Sequence, residues 1–155
     1  MDHADLLSTA QYLLGRHKGK PKQADLKRAT STIYYALFHT LARCCADCMI
    51  GGFNSDRSKP AWRQVYRSLD HGFAKQQCKD LTTIRKFPKD IEDFSNSFVT
   101  MQYKRHQADY DPDCRITKSE VLNDYSQVTT VIEKFRKTPI KDRRAFAAFV
   151  LLKKR

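Results

Sequence analysis

The chain has 155 residues, a length that suits one domain with a real hydrophobic core, and its 41% hydrophobic and 30% charged content is that of an ordinary globular protein. Its 29 Lys and Arg against 17 Asp and Glu leave a net charge of +12, which favours polyanionic partners, nucleic acid first and acidic protein or membrane surface next. The longest apolar run, Ala145 to Leu152, falls far short of the roughly twenty residues that cross a bilayer, so no membrane partner is expected. The acidic start MDHADLLSTAQYLL lacks the basic region of a targeting segment, and five cysteines without the density of a disulfide scaffold suit a reducing, cytoplasmic setting.

Taken in order, the hydrophobic spacing predicts helices joined by polar loops. Asp5 to Leu14 forms a short amphipathic helix stopped near Gly15, and a basic loop, Arg16 to Lys22, follows it. A long helix runs from Gln23 to about Met49, with Leu26, Ala29, Ile33, Ala36, Leu37, Leu41 and Cys44 on one face and Gly51 and Gly52 at its end. Pro60 opens a third helix that carries Trp62, Val65, Tyr66, Leu69 and Phe73 and fades near Cys78. Pro88 begins a fourth, broken by Asp111, Pro112 and Asp113. Thr117 with Glu120 makes a capping box for a fifth helix through Phe135. Pro139 separates a last helix, Lys141 to Lys153, in the basic amphipathic segment 140–155. No strand alternation or internal repeat interrupts this pattern. The expectation is a single all-α domain over residues 1–155, an up-and-down bundle of five to six helices.

The fourth helix holds the chemistry. Ile91, Phe94, Phe98 and Met101 form an apolar stripe whose continuation reaches Arg105 and then Ala108, so a guanidinium falls on the core-facing side. A buried cation needs a partner, and Asp109 stands one turn on. The neighbouring stripe, Val99, Tyr103, His106 and Tyr110, brings a base and two phenols to the same turns. Elsewhere, His39 flanks the apolar face of the second helix, and Arg67 and His71, one turn apart, could bind an anion. Cys44, Cys45 and Cys48 lie within one predicted helix without a second ligand pair at zinc spacing and read as small buried thiols, so no metal and no cofactor is expected. Phosphate-binding loops, HExxH and GxSxG motifs do not occur. A cluster of Arg, His and Tyr suits metal-free ribonuclease chemistry, in which one group takes the 2′-hydroxyl proton, another protonates the leaving oxygen and a cation steadies the phosphorus.

RATSTIYYALFHTLAR in the second helix and KRHQADYDP at the end of the fourth resemble the HEPN domain, the higher eukaryotes and prokaryotes nucleotide-binding helical bundle. The resemblance covers roughly Leu6 to Phe135. It implies a helical bundle, often a homodimer. It also implies either a metal-independent ribonuclease of toxin–antitoxin, phage-defence or CRISPR-linked systems, or a non-catalytic module that binds RNA, a nucleotide, a cognate antitoxin or a nucleotidyltransferase. Catalytic members carry an Arg, a polar neighbour and a following His. Arg105 matches the Arg and His106 the polar neighbour, but the positions open to the His hold Tyr110, Asp111 and Pro112. The strict motif is therefore absent. One reading is a non-catalytic module in which Arg105, Asp109, Arg67 and His71 serve RNA or nucleotide binding. The second is a ribonuclease with a rearranged site of Arg105, His106 and Tyr110, with His39 in support. The third is an accessory subunit whose fourth helix forms a homodimer interface.

Overall fold

The computed structural model describes residues 1–155, and every regular element in it is a helix. Eight helices follow in order: α1 (His3–Gly15), α2 (Gln23–Met49), α3 (Lys59–Ser68), α4 (His71–Cys78), α5 (Leu81–Ile84), α6 (Lys89–Tyr110), α7 (Lys118–Arg136) and α8 (Ile140–Leu151). Eight replace the expected five to six because two stretches fold differently from their hydrophobic pattern. The third helix is cut at Leu69 and Asp70, both in extended backbone, and the Asp70 carboxylate caps the new helix by accepting from the Phe73 amide. A local N-cap thus overrides an apolar stripe that would otherwise run on from Val65 to Phe73. The connector after Cys78 carries the single turn α5, capped by Asp80 on the Thr83 amide.

The other boundaries follow local chemistry. Asp2 caps α1 through the Ala4 amide, and Pro88 stands directly before α6. Thr117 and Glu120 form the full reciprocal capping box at α7. Gly51, with φ +135°, takes the chain out of α2 in a conformation that L side chains rarely adopt.

Helix α2 is the axis of the fold and packs against α1, α3, α6, α7 and α8. Its buried residues run from Asp25 to Ala46 and repeat at helical spacing around more than one face, so neighbours can cover it on several sides. The core joins Leu26, Ile33, Leu37 and Leu41 of α2 to Phe94 and Phe98 of α6, Phe135 of α7 and Phe146 of α8. Phe94 and Phe135 stack at 4.2 Å, and Phe146 meets both edge-on. Helix α3 differs from its neighbours: none of its residues is fully buried, and it lies on α2 through half-buried Trp62, Val65 and Tyr66. No helix is long and apolar enough to cross a membrane.

Candidate nucleic-acid interface and the Arg105 cluster

The core stripe of α6 is buried as its spacing requires, and Arg105 does lie on it, with its side chain 14% exposed. Its guanidinium sits over the rings of Tyr34 at 5.0 Å and Tyr35 at 5.7 Å, both from α2. The Asp109 carboxylate stands 3.7 Å away and also accepts from the Ser31 hydroxyl, while the buried Arg105 Nε has no hydrogen-bond partner. This arrangement ties α6 to α2 through the cation–π contacts and the Ser31–Asp109 hydrogen bond, while the loose Arg105–Asp109 pair stays within α6.

The break before α4 turns His71 inward to meet the same cluster. Its Nδ1 shares a hydrogen bond with the Tyr34 hydroxyl, its ring stacks on Phe38 at 3.9 Å, and its carbonyl accepts from Gln102 of α6. Burial, then the Arg105 charge, lowers the His71 pKa, so the imidazole is held neutral. Burial likewise raises the Tyr34 pKa, which keeps the phenol protonated against a smaller opposing pull from Arg105. Tyr34, Arg105 and His71 therefore come together from three helices. Periodicity could place each on a face but could not reveal this partnership, since it carries no information on which faces meet.

Of the remaining predicted residues, His39 borders this cluster, its ring 5.5 Å from Phe38 and 6.1 Å from Tyr35, and the others lie apart from it. His106 and Tyr110 occupy the outward flank of α6, their rings 4.9 Å apart, and neither makes a hydrogen bond or ion pair with Arg105. Tyr103 is exposed on the same flank. His39, one turn from Tyr35, hydrogen-bonds through Nδ1 to the Tyr66 hydroxyl and stacks on that ring. Burial is the first cause of its lowered pKa, and nearby cationic charge, including the N-terminal amine and Arg43, acts in the same direction. Arg67 projects from the exposed face of α3 and does not meet His71, because the helix they were expected to share ends between them. Cys44 and Cys45 are buried, whereas Cys48 is half-buried.

A second constellation centres on α3. Trp62 and Tyr66 lie with ring centroids 5.1 Å apart, and the Arg57 guanidinium covers the indole at 4.7 Å. Asp47 of α2 fixes both, accepting from Trp62 Nε1 at 2.8 Å and from Arg57 Nη1 at 3.1 Å. Lys59, Arg63 and Arg67 are exposed around them, and the segment from Arg57 to Arg67 contains no acidic residue. Its sequence signal was the interleaving of RSKPAWRQVYR, four cations about two aromatics. Two broad grooves flank these clusters, the first sharing Asp47 with the α3 constellation. One, of about 730 Å³, mixes Arg43, Arg136, Lys137 and Arg143 with Asp2, Asp47 and Glu133. The other, of about 660 Å³ between α6 and α7, mixes Lys104 and Lys134 with Asp93 and Asp124. Arg105 lines neither.

Compared with family models, curated proteins and solved structures, the chain matches none.

Proposed function

We propose that the protein is a HEPN-like helical module that binds single-stranded RNA through the outer face of α3 without cleaving it, as part of a prokaryotic defence or toxin–antitoxin type system. The observation that carries this reading is the row of exposed cations Lys59, Arg63 and Arg67 on the helix that bears Trp62 and Tyr66, with Arg57 and Asp47 bracing the indole from one side. Single-strand binding needs cations for phosphates and aromatic rings for bases, and α3 carries three exposed cations beside two half-buried rings. The family resemblance is supported by the packing of its two motif-bearing segments, since Tyr34 and Tyr35 meet Arg105 directly. In this reading Arg105, Asp109 and His71 hold α2, α4 and α6 together, and Arg67 contacts phosphate. A homodimer would use the outward α6 flank of Tyr103, His106 and Tyr110.

The test is fluorescence anisotropy of a labelled single-stranded oligoribonucleotide, with RNA integrity followed in EDTA. Salt-sensitive binding with intact RNA is expected. Absence of binding at low salt would overturn the reading.

One observation favours a ribonuclease as the second reading. His71 is bonded to Tyr34, whose ring lies under Arg105, and the Arg105 charge helps to lower its pKa, so a neutral imidazole and a guanidinium are neighbours. There His71 would accept the 2′-hydroxyl proton and Arg105 would stabilise the charged phosphorus. EDTA-resistant cleavage lost in both His71→Gln and Arg105→Met would establish it in place of the first reading.

A further inference from the structure

The last two turns of α2 carry two thiols, Cys44 and Cys48, that the RNA-binding surface does not use. The Sγ atoms of Cys44 and Cys48 stand 3.9 Å apart, one helical turn from each other. Both line a groove closed on its other side by Arg143 and Arg144 of α8. Cys44 is buried and Cys48 is half-buried. We propose that Cys44 and Cys48 form a hydroperoxide-reactive dithiol, in which Cys48 is the attacking thiolate and Cys44 the resolving thiol.

The surroundings divide the two roles. The hydrogen bond shared with Cys44 is the main cause that lowers the Cys48 pKa; burial and the Asp47 charge oppose it, and the charges of Arg143 and Arg144 act with it. The same hydrogen bond, then burial, raises the Cys44 pKa. A partly accessible thiol beside cations, of which Arg143 is held by the Thr138 carbonyl, and a second thiol is the environment of a redox-reactive cysteine. Cys45 and Cys78 are buried, with thiol pKa values raised by desolvation, and take no part.

The reaction balances with a hydroperoxide as oxidant. The Cys48 thiolate attacks the terminal oxygen, an S–O bond forms, the O–O bond breaks and the departing alkoxide or hydroxide takes a proton, leaving a sulfenic acid. The Cys44 sulfur then attacks the Cys48 sulfur, an S–S bond forms, and the displaced hydroxide leaves as water with the Cys44 proton. Cβ atoms one turn apart lie about 5–6 Å from each other in a regular helix, against roughly 3.5–4.5 Å in a disulfide. The turn must therefore distort. It can, because Cys48 is next to the final residue of α2 and Gly51 follows. Asp47 belongs to that turn and holds the indole of Trp62, the chain's single tryptophan. Oxidation thus moves the anchor of a built-in fluorophore.

The experiment exposes the full-length reduced protein to hydrogen peroxide and follows it by peptide mass mapping, dimedone labelling and Trp62 emission. The wild type is expected to lose two hydrogens in a Cys44–Cys48 cross-link and to change its emission, both reversed by dithiothreitol. Cys44→Ser is expected to retain a dimedone adduct at Cys48 with no cross-link. Cys48→Ser is expected to consume peroxide roughly tenfold more slowly. Labelling chiefly at Cys114, the other half-buried thiol, or undiminished peroxide consumption in Cys48→Ser would overturn the assignment. These readouts do not involve RNA, so the proposal stands or falls apart from the RNA-binding reading.

Discussion

Replacing Arg105 with Met separates a structural guanidinium from a functional one. Met preserves the apolar stem against Tyr34 and Tyr35 but removes the charge that lies 5.0 and 5.7 Å from their ring centroids. Loss of those cation–π contacts in a largely covered site costs about 1–2 kcal/mol. The pair with Asp109 adds about 0.5 kcal/mol, because it is long at 3.7 Å and its carboxylate is 32% exposed. Against this, the substitution removes Nε, a buried donor without a partner, which returns about 1 kcal/mol. The expected net is a destabilisation of about 1 kcal/mol, or roughly 3 °C in Tm for a chain of this length. Urea unfolding gives the first quantity and anisotropy on single-stranded RNA the second, where affinity should stay within about twofold if Arg105 contributes no phosphate contact. Unchanged stability with RNA affinity reduced tenfold or more would refute the reasoning and make Arg105 part of the ligand site.

Three further perturbations have defined outcomes. His39 and His71 have pKa values lowered below their ordinary 6.5 chiefly by burial, so below that pH the unfolded chain binds more protons than the folded one. Their contribution to stability is therefore intact above about pH 6.5 and declines as the pH falls through it, which thermal melts between about pH 7.5 and 5.5 would show. His71→Gln should flatten that decline, and a Tm independent of pH across the interval would contradict the reasoning. Gly51→Ala should cost about 1–2 kcal/mol, since its φ of +135° strains any side chain and a Cβ would collide with Ser55. Gly52→Ala, whose Cβ would meet open space, serves as the control and should change urea stability little. Thr117→Ala removes the side-chain half of the α7 capping box and should lower stability by about 1 kcal/mol in the same assay.

The sequence disclosed what local chemistry decides. The span Gln23 to Met49, the proline before α6 and the Thr117–Glu120 box all emerged at the residues where the chain forms them, because caps, breakers and apolar spacing act over a few positions. The division of α3 from α4 was missed although Asp70 carried the signal. An Asp inside an apolar stripe reads as an exposed helix position unless its cap on Phe73 is weighed against the stripe. That one turn of chain decided the candidate site, since it brought His71 in to Tyr34 and left Arg67 outside. On α6 the stripe placed Arg105 inward correctly. The adjacent stripe faced outward instead of joining it, because a residue one position round a helix is displaced by about 100°. Contacts between distant segments, such as Trp62 on Asp47 or Lys104 on the buried carboxylate of Asp124, leave no local pattern to read.

The most direct measurement of the RNA-binding claim is the salt dependence of affinity for a single-stranded oligoribonucleotide, compared between the wild type and the Arg63→Ala, Arg67→Ala double variant. Each phosphate contact on single-stranded nucleic acid contributes about −0.7 to the slope of log affinity against log salt. Loss of two contacts should make the slope shallower by about 1.4 and weaken binding at low salt, with thermal stability unchanged because both side chains are exposed. An identical slope and affinity in the double variant would contradict the assignment of RNA binding to the outer face of α3.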